Sequence, residues 1–233
     1  IGQLFVSQPA AAAVYVCSRG EIAVSRKVRE LREGIADSLG LIVSTLTGET
    51  TADLRVLATP GVLVVCSPEH WDNISRRWKQ RKVINNVSLF VVDDVHCVAG
   101  HNGPVVEVIC LRMRYIAEQA TQSGKKACRI VALSDPVANA RDLADWLGVP
   151  PQNMFSFHAN TRPVPLETHI QTVANTGSSL VTTMARPIYN AIRSYGTGGA
   201  PVVVFVASRR LVRATAFELL TSVSAGAGPS RFL

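Results

Sequence analysis

SLFVVDDVHCVA, residues 88–99, sets Asp93, Asp94 and His96 at the end of an apolar run. Two neighbouring carboxylates can hold a magnesium-bound water and orient an attacking water, and an imidazole two residues on can contact whatever reports on a bound phosphate. The same three residues can equally be the polar end of a buried strand, its acids capping the next turn. The choice depends on which elements hold them and what else those elements bring to the same place.

Short β-branched runs recur along the chain: VYVC at 14–17, LIVSTL at 41–46, VLVVC at 62–66, SLFVVD at 88–93 and RIVALS at 129–134. Between them apolar residues return every three or four positions, as in Val24, Val28, Leu31, Ile35 and Leu39, or Val106, Ile109, Met113 and Ile116. That spacing predicts helices. Nearly continuous apolar strands alternating with helices predict an α/β fold, a parallel sheet covered on both faces. Ligands of such sheets sit beyond the carboxyl ends of the strands, where Asp93 to His96 would lie. Helix entries are predicted at Ser67-Pro68-Glu69, at Asn102-Gly103-Pro104 and at Ser134-Asp135-Pro136, the last helix facing the sheet with Leu143, Trp146 and Leu147.

A composition change follows. PPQNMFSFHANTRPVPLETHIQ is too rich in proline for a helix interior and predicts an extended linker ending in a strand near Leu166 to Gln171. A helix from about Leu180 to Tyr195, the turn GTGGA, the strand PVVVFVA and a helix from about Ser208 come next. The expected organisation is a first domain over 1–150, a linker over 151–165, and over 166–233 the beginning of a second α/β domain, truncated after one strand and helix.

VVDDVH also matches the second motif of the DExD/H-box helicases. Its neighbours SPEHWDNISRRWKQRK, GPVVEVICLRMRYI, RIVALSDPVANARDLADWLG, HANTRPVPLETHIQ and PVVVFVASRR narrow the family. Together they resemble the Ski2-like DExH RNA helicases, and among these the carboxy-terminal cassette of the two-cassette spliceosomal type. The similarity runs from about Leu41 to Leu233. It implies two RecA-like domains, with ATP and magnesium at their interface and RNA crossing both.

By position, the resemblance makes Asp93 the magnesium-associated acid and puts Asp94 where the family has a general-base glutamate, followed by His96. Ser134, Asp135 and Pro136 stand at the motif that couples nucleotide to RNA, normally Ser-Ala-Thr. Gly48, Glu49, Ser67, Pro68 and Glu69 match positions that contact the RNA backbone, and Ser208 and Arg209 follow the strand that opens the second domain. Implied partners are small nuclear RNA, spliceosomal proteins and an active helicase cassette of the same chain; the implied location is the nucleus. A related two-cassette helicase, that of the activating signal cointegrator complex, is the alternative, since ARDLADWL and IRSYG are at home there.

The pattern breaks in several places. An active member needs GxxxxGK[ST], whose backbone N–H groups cradle phosphates. The only Gly-Lys pair here is Gly124-Lys125, which lacks the preceding glycine. LFVSQP at 4–9 resembles the strand that leads into such a loop, yet AAAAVYVC follows directly. Either the loop has been lost or the numbered chain joins pieces across an omitted segment; the second is favoured, because a crossover between parallel strands takes about a dozen residues or more. Asp94 for Glu withdraws a carboxylate by one methylene, Ser-Asp-Pro adds a charge and a proline, and CSRGEIA has Arg19-Gly20 where the family has Thr-Pro. This decay implies a cassette weak or silent in catalysis, a regulatory and docking platform that binds no nucleotide productively. An active ATPase is the alternative.

Composition agrees with a globular chain: 47% hydrophobic, 18% charged, with 24 Lys and Arg against 17 Asp and Glu, a net charge of +7 that favours a polyanionic partner. No apolar run approaches the roughly 18 to 20 residues of a membrane span, so a soluble intracellular chain is expected. Cys17, Cys66, Cys97, Cys110 and Cys128 are scattered, mostly in apolar runs, and read as free thiols. SRRWKQRK puts five basic residues on a predicted helix whose apolar side is Trp71, Ile74 and Trp78, either a phosphate-binding face or a protein contact.

Overall fold

Five strands pair in parallel in the computed structural model: β1 (Ala12–Cys17), β2 (Ile42–Thr45), β3 (Val62–Cys66), β4 (Val87–Asp93) and β5 (Arg129–Ala132), in the order β2-β3-β1-β4-β5. The structure describes residues 1–174, 179–196 and 201–225. All five expected strands of the first domain are present. β1 and β3 are buried along their whole length, as an inner parallel strand covered on both faces must be.

The helices of this part are α1 (Gly2–Ser7), α2 (Glu21–Leu31), α3 (Asp37–Leu39), α4 (Thr50–Leu57), α5 (Pro68–Ser75), α6 (Lys82–Asn85), α7 (Gly103–Gln122) and α8 (Ala140–Leu147). A π-helical turn over Arg32–Ala36 joins α2 to α3. Successive strand residues point to opposite faces, so two cores form. Val14, Val16, Val64, Phe90 and Val92 pack with Trp71 and Ile74 of α5 and Val106, Ile109 and Met113 of α7. Ala13, Tyr15, Leu63, Val65 and Val91 pack on the other face with Phe5 of α1 and Val24, Val28 and Leu31 of α2.

Local signals explain several boundaries. Ser67 Oγ accepts the His70 N–H at 3.4 Å, with Pro68 in the first turn of α5, as expected. Gly103 opens α7 because a Cβ there would fall on the Val98 carbonyl. Five expectations fail. LFVSQP forms α1 rather than a strand, and the chain passes directly into β1 through a turn in which the Ala11 N–H meets the Gln8 carbonyl at 3.0 Å. Ser134-Asp135-Pro136 opens no helix; α8 starts only at Ala140, because Ser134 Oγ bonds the adjoining Asp135 carbonyl at 2.7 Å instead of capping. Residues 76–80 turn after α5 rather than extending it. Neither Leu166 to Gln171 nor Pro201 to Ala207 is a strand, since an extended segment without a neighbour has no ladder to join.

The chain divides into two units, Ile1–His158 and Ala159–Leu233. In the second, α9 (Leu180–Tyr195) packs against α10 (Arg209–Ala225), near the helices expected there. Most of the expected GTGGA turn lies outside the described residues. Among those described, no helix is long and apolar enough to cross a membrane.

Candidate nucleotide and RNA site

Because all five strands run the same way, the residues that follow them collect along one edge of the sheet: Ser18 and Arg19 after β1, Thr47 to Glu49 after β2, Ser67 to His70 after β3, Asp93 to His96 at the end of β4, and Ser134 and Asp135 after β5. Asp93 lies in register with Cys17 of β1. Its Oδ2 accepts the Tyr15 hydroxyl at 2.6 Å, its Oδ1 accepts the Asp94 N–H at 3.0 Å, and Lys27 Nζ stands 4.0 Å from Oδ2. Burial and the Asp93 carboxylate both push the Tyr15 phenol up, so it remains a donor.

Asp94 is the one non-glycine residue with positive φ among those described, at φ 55° and ψ 45°. Aspartate tolerates this left-handed conformation better than most residues, glutamate included. The conformation turns its carboxylate toward Arg19, whose Nε lies 3.0 Å from Oδ2. Arg19 Nη2 reaches Asp135 Oδ2 at 2.7 Å, so one guanidinium bridges two carboxylates carried by different strands. The Asp94 charge raises the Arg19 pKa further above an already high value, so the guanidinium is cationic throughout the physiological range.

His96 joins the same group. Its Nδ1 accepts the Asp135 N–H at 3.1 Å, and its Nε2 lies 3.3 Å from Arg19 Nη2, 3.5 Å from the Asp135 carboxylate and 3.9 Å from that of Asp94. The backbone prepares this contact, with Leu133 N–H on the Val92 carbonyl at 2.8 Å and Val95 N–H on the Leu133 carbonyl at 2.9 Å. The two segments expected to work together, 93–96 and 134–135, are thus brought together; Pro136 makes none of these contacts.

A second group occupies the β2 and β3 end of the edge. Asp53, fully buried, accepts the Thr47 and Gly48 N–H groups at 2.8 and 3.0 Å. The Glu49 carboxylate caps α4 by accepting from Thr51 and Ala52, and Asn73 Nδ2 donates to the Gly48 carbonyl at 3.2 Å. Gly48 has φ +89°, and a Cβ on it would touch the His70 ring. Gly48, Glu49, Ser67, Pro68 and Glu69 are therefore neighbours, and the N-termini of α4 and α5 open beside one another. Ser208 and Arg209 stand at the start of α10 in the other unit.

Asp94, His96 and Asp135 present ligand atoms within 4.8 Å of one another. Their donor set suits a divalent cation, but Arg19 already supplies the positive charge, and Asp93 spends both oxygens on Tyr15 and Asp94. Gly124 and Lys125 follow α7, at the other edge of the sheet. Among the described residues no glycine-rich loop faces the acids.

The family model described as DEAD/DEAH box helicase matches residues 4–139. The chain belongs to the DEAD/DEAH box helicases. It is 48% identical over 203 residues to the human U5 small nuclear ribonucleoprotein 200 kDa helicase, covering 86% of this chain and 9% of that protein. The Drosophila melanogaster protein of the same name is 44% identical over 233 residues, 100% of this chain and 10% of that one. The zebrafish activating signal cointegrator 1 complex subunit 3 is 36% identical over 234 residues, covering 100% and 15%. The chain thus spans about a tenth of the length of the U5 relatives. Among solved structures, the DUF1998 helicase MrfA bound to DNA and AMPPNP superposes with a TM-score of 0.62 at 16% identity, over 97% of this chain and 31% of that one. The fold is RecA-like.

Residue types alone missed Arg19, Tyr15, Lys27, Asp53 and Asn73. Arg19 carried a signal, a cation directly after a strand at the ligand edge. The other four lie inside elements and gave none.

Proposed function

We propose that this chain is the first RecA-like domain and the beginning of the second from the carboxy-terminal cassette of a spliceosomal Ski2-like RNA helicase. The observation that carries the reading is the identity of 44 to 48% to U5 small nuclear ribonucleoprotein helicases along 203 to 233 residues, against 36% for the signal cointegrator subunit. The whole protein would unwind paired small nuclear RNAs in the nucleus during spliceosome activation, working with spliceosomal proteins. The adjoining cassette would supply the catalysis.

This cassette is a weak or silent one that modulates its partner and docks proteins. Three features support that part. The acids of the DExH motif are satisfied internally by Tyr15 and Arg19. Asp94 replaces the general base with a shorter side chain, and displacement by about 1 Å can cost about a hundredfold in rate. Ser134-Asp135-Pro136 puts a charge and a proline where the family has small neutral residues. RNA would lie along Gly48, Glu49 and Ser67 to Glu69, the segments that follow β2 and β3 at the ligand edge of the sheet; Ser208 and Arg209 would contact it from the second domain.

The test is RNA-stimulated ATP turnover by the intact protein with Asp93→Ala in this cassette. Turnover and unwinding are expected to stay at the unsubstituted level. A fall of about tenfold or more in turnover would make this cassette an active ATPase binding ATP and magnesium.

A further inference from the structure

α7 carries two apolar stripes. One, Val106, Ile109, Met113 and Ile116, is buried against the sheet. The other faces out: Val108 is 46% exposed, Leu111 41% and Tyr115 48%. These three recur at intervals of three and four residues and run about 10 Å along the helix. Isolated exposed apolar residues are ordinary; a stripe at helical spacing on a rigid helix is the groove-facing pattern of helix recognition.

The neighbouring segment shapes its rim. Tyr115 meets Trp78 edge-on, with ring centroids 5.9 Å apart, and Lys79 Nζ lies 5.7 Å from the Trp78 ring centre. Arg112 of α7 donates to Asp72 Oδ1 at 2.8 Å and to Ser75 Oγ at 2.7 Å, while Arg76 Nε holds Asp72 Oδ2 at 2.8 Å. This clamp fixes the end of α5, and with it the turn bearing Trp78, against α7, so the surface needs no reordering to bind. Arg77 and Lys79 are exposed on that rim. The opposite flank of α7 carries Glu107 and Glu118, the latter 3.7 Å from Arg114.

We propose that this face, Val108, Leu111 and Tyr115 with Trp78 at its edge, docks an amphipathic helix of a protein partner that is apolar at the same spacing and acidic along the edge meeting Arg77 and Lys79. An aromatic pair beside aliphatic residues is the composition of an interface centre. A nucleic-acid backbone is disfavoured, because phosphates would meet cations on one rim only, Glu107 and Glu118 on the other, and the aliphatic side chains of Val108 and Leu111 between them. The inference rests on the docking part of the proposed function and names its surface and its partner's chemistry.

The probe is a designed helical peptide with leucines at three- and four-residue spacing and glutamates along one edge, compared with a twin bearing lysines there, each titrated into the intact protein by fluorescence anisotropy. The acidic peptide should bind saturably and at least about tenfold more tightly than its twin. Leu111→Asn, an exposed change that leaves thermal unfolding unmoved, should abolish binding, and Arg77→Glu with Lys79→Glu should reverse the preference between the peptides. Equal binding of both peptides, no binding, indifference to Leu111→Asn, displacement by single-stranded RNA, or self-association through Leu111 in place of peptide binding would each overturn the proposal. ATP turnover is untouched by these outcomes, so a failure here is separable from a failure of the silent-cassette reading.

Discussion

Arg19 and Asp135 are separated by 116 positions in the chain and meet at 2.7 Å across the carboxyl edge of the sheet. The same guanidinium holds Asp94, so the segment after β4 and the segment after β5 are tied through a residue of neither. Arg19→Gln should therefore release residues 134–139, measured as faster amide exchange at Asp135 with the sheet unchanged. Because the bridge is solvent-exposed, roughly 1 M salt should produce part of the same effect in the unsubstituted protein, where screening acts within about 3 Å. Identical exchange in the two proteins would show that the His96 contact alone holds the segment.

Asp72 gives a pH dependence of known sign. Burial raises its pKa, but hydrogen bonds from Arg76 and Arg112 outweigh that and hold it below its ordinary value. Its stabilising contribution is thus fully present above the unfolded-state pKa of about 3.9 and is lost as pH falls through the lower folded-state value. Asp72→Asn should cost about 3 kcal/mol at neutral pH, since it leaves the largely buried Arg112 without its counter-charge, and the loss should shrink on acidification. Urea unfolding at pH 7 and near pH 3 checks both statements.

Two glycines should respond in opposite directions. Gly103→Ala drives a methyl into the Val98 carbonyl, and unfolding free energy should fall by about 3 kcal/mol or more. Gly34, in the π-helical turn, has nothing within 4 Å of a Cβ, and Gly34→Ala should be neutral or add about 0.4 to 1 kcal/mol through the unfolded chain. Thermal unfolding of the two variants decides this.

Thiol labelling should separate one cysteine from four. All five are free, and only Cys97 is not buried. Burial pushes Cys17, Cys110 and Cys128 up to about 12 and raises Cys66 as well. A thiol reagent at pH 8 should modify one group rapidly and the others only on unfolding. Fast modification of two or more native thiols would contradict the burial of Cys17, Cys66, Cys110 and Cys128.

The sheet of the first unit was legible because its strands are short apolar runs, and burial on both faces leaves little alternative to a β-branched strand. Val14, Val64 and Phe90 declared themselves by type and periodicity, as did the capped start of α5 at Ser67. LFVSQP did not, because six residues with mixed apolar spacing suit either a strand or a short helix, and only packing of Phe5 against the α2 face decides. PVVVFVA failed for the complementary reason. Its residues have strand propensity, but a strand is made by its neighbours.

By itself the sequence determined which residues could serve as acids, caps and core, since these follow from side-chain chemistry and spacing along the chain. It placed Asp93, Asp94 and His96 at a strand end and Ser134 and Asp135 at another. Tertiary structure decided what those groups touch: that Tyr15 and Arg19 satisfy the acids, that His96 receives the Asp135 N–H, and that Asp94 turns left-handed to reach a guanidinium. Hydrogen bonds and ion pairs act over about 3 to 4 Å, whereas their partners here lie 39 to 116 positions apart. Only the parallel register of β1, β4 and β5 brings them within that range.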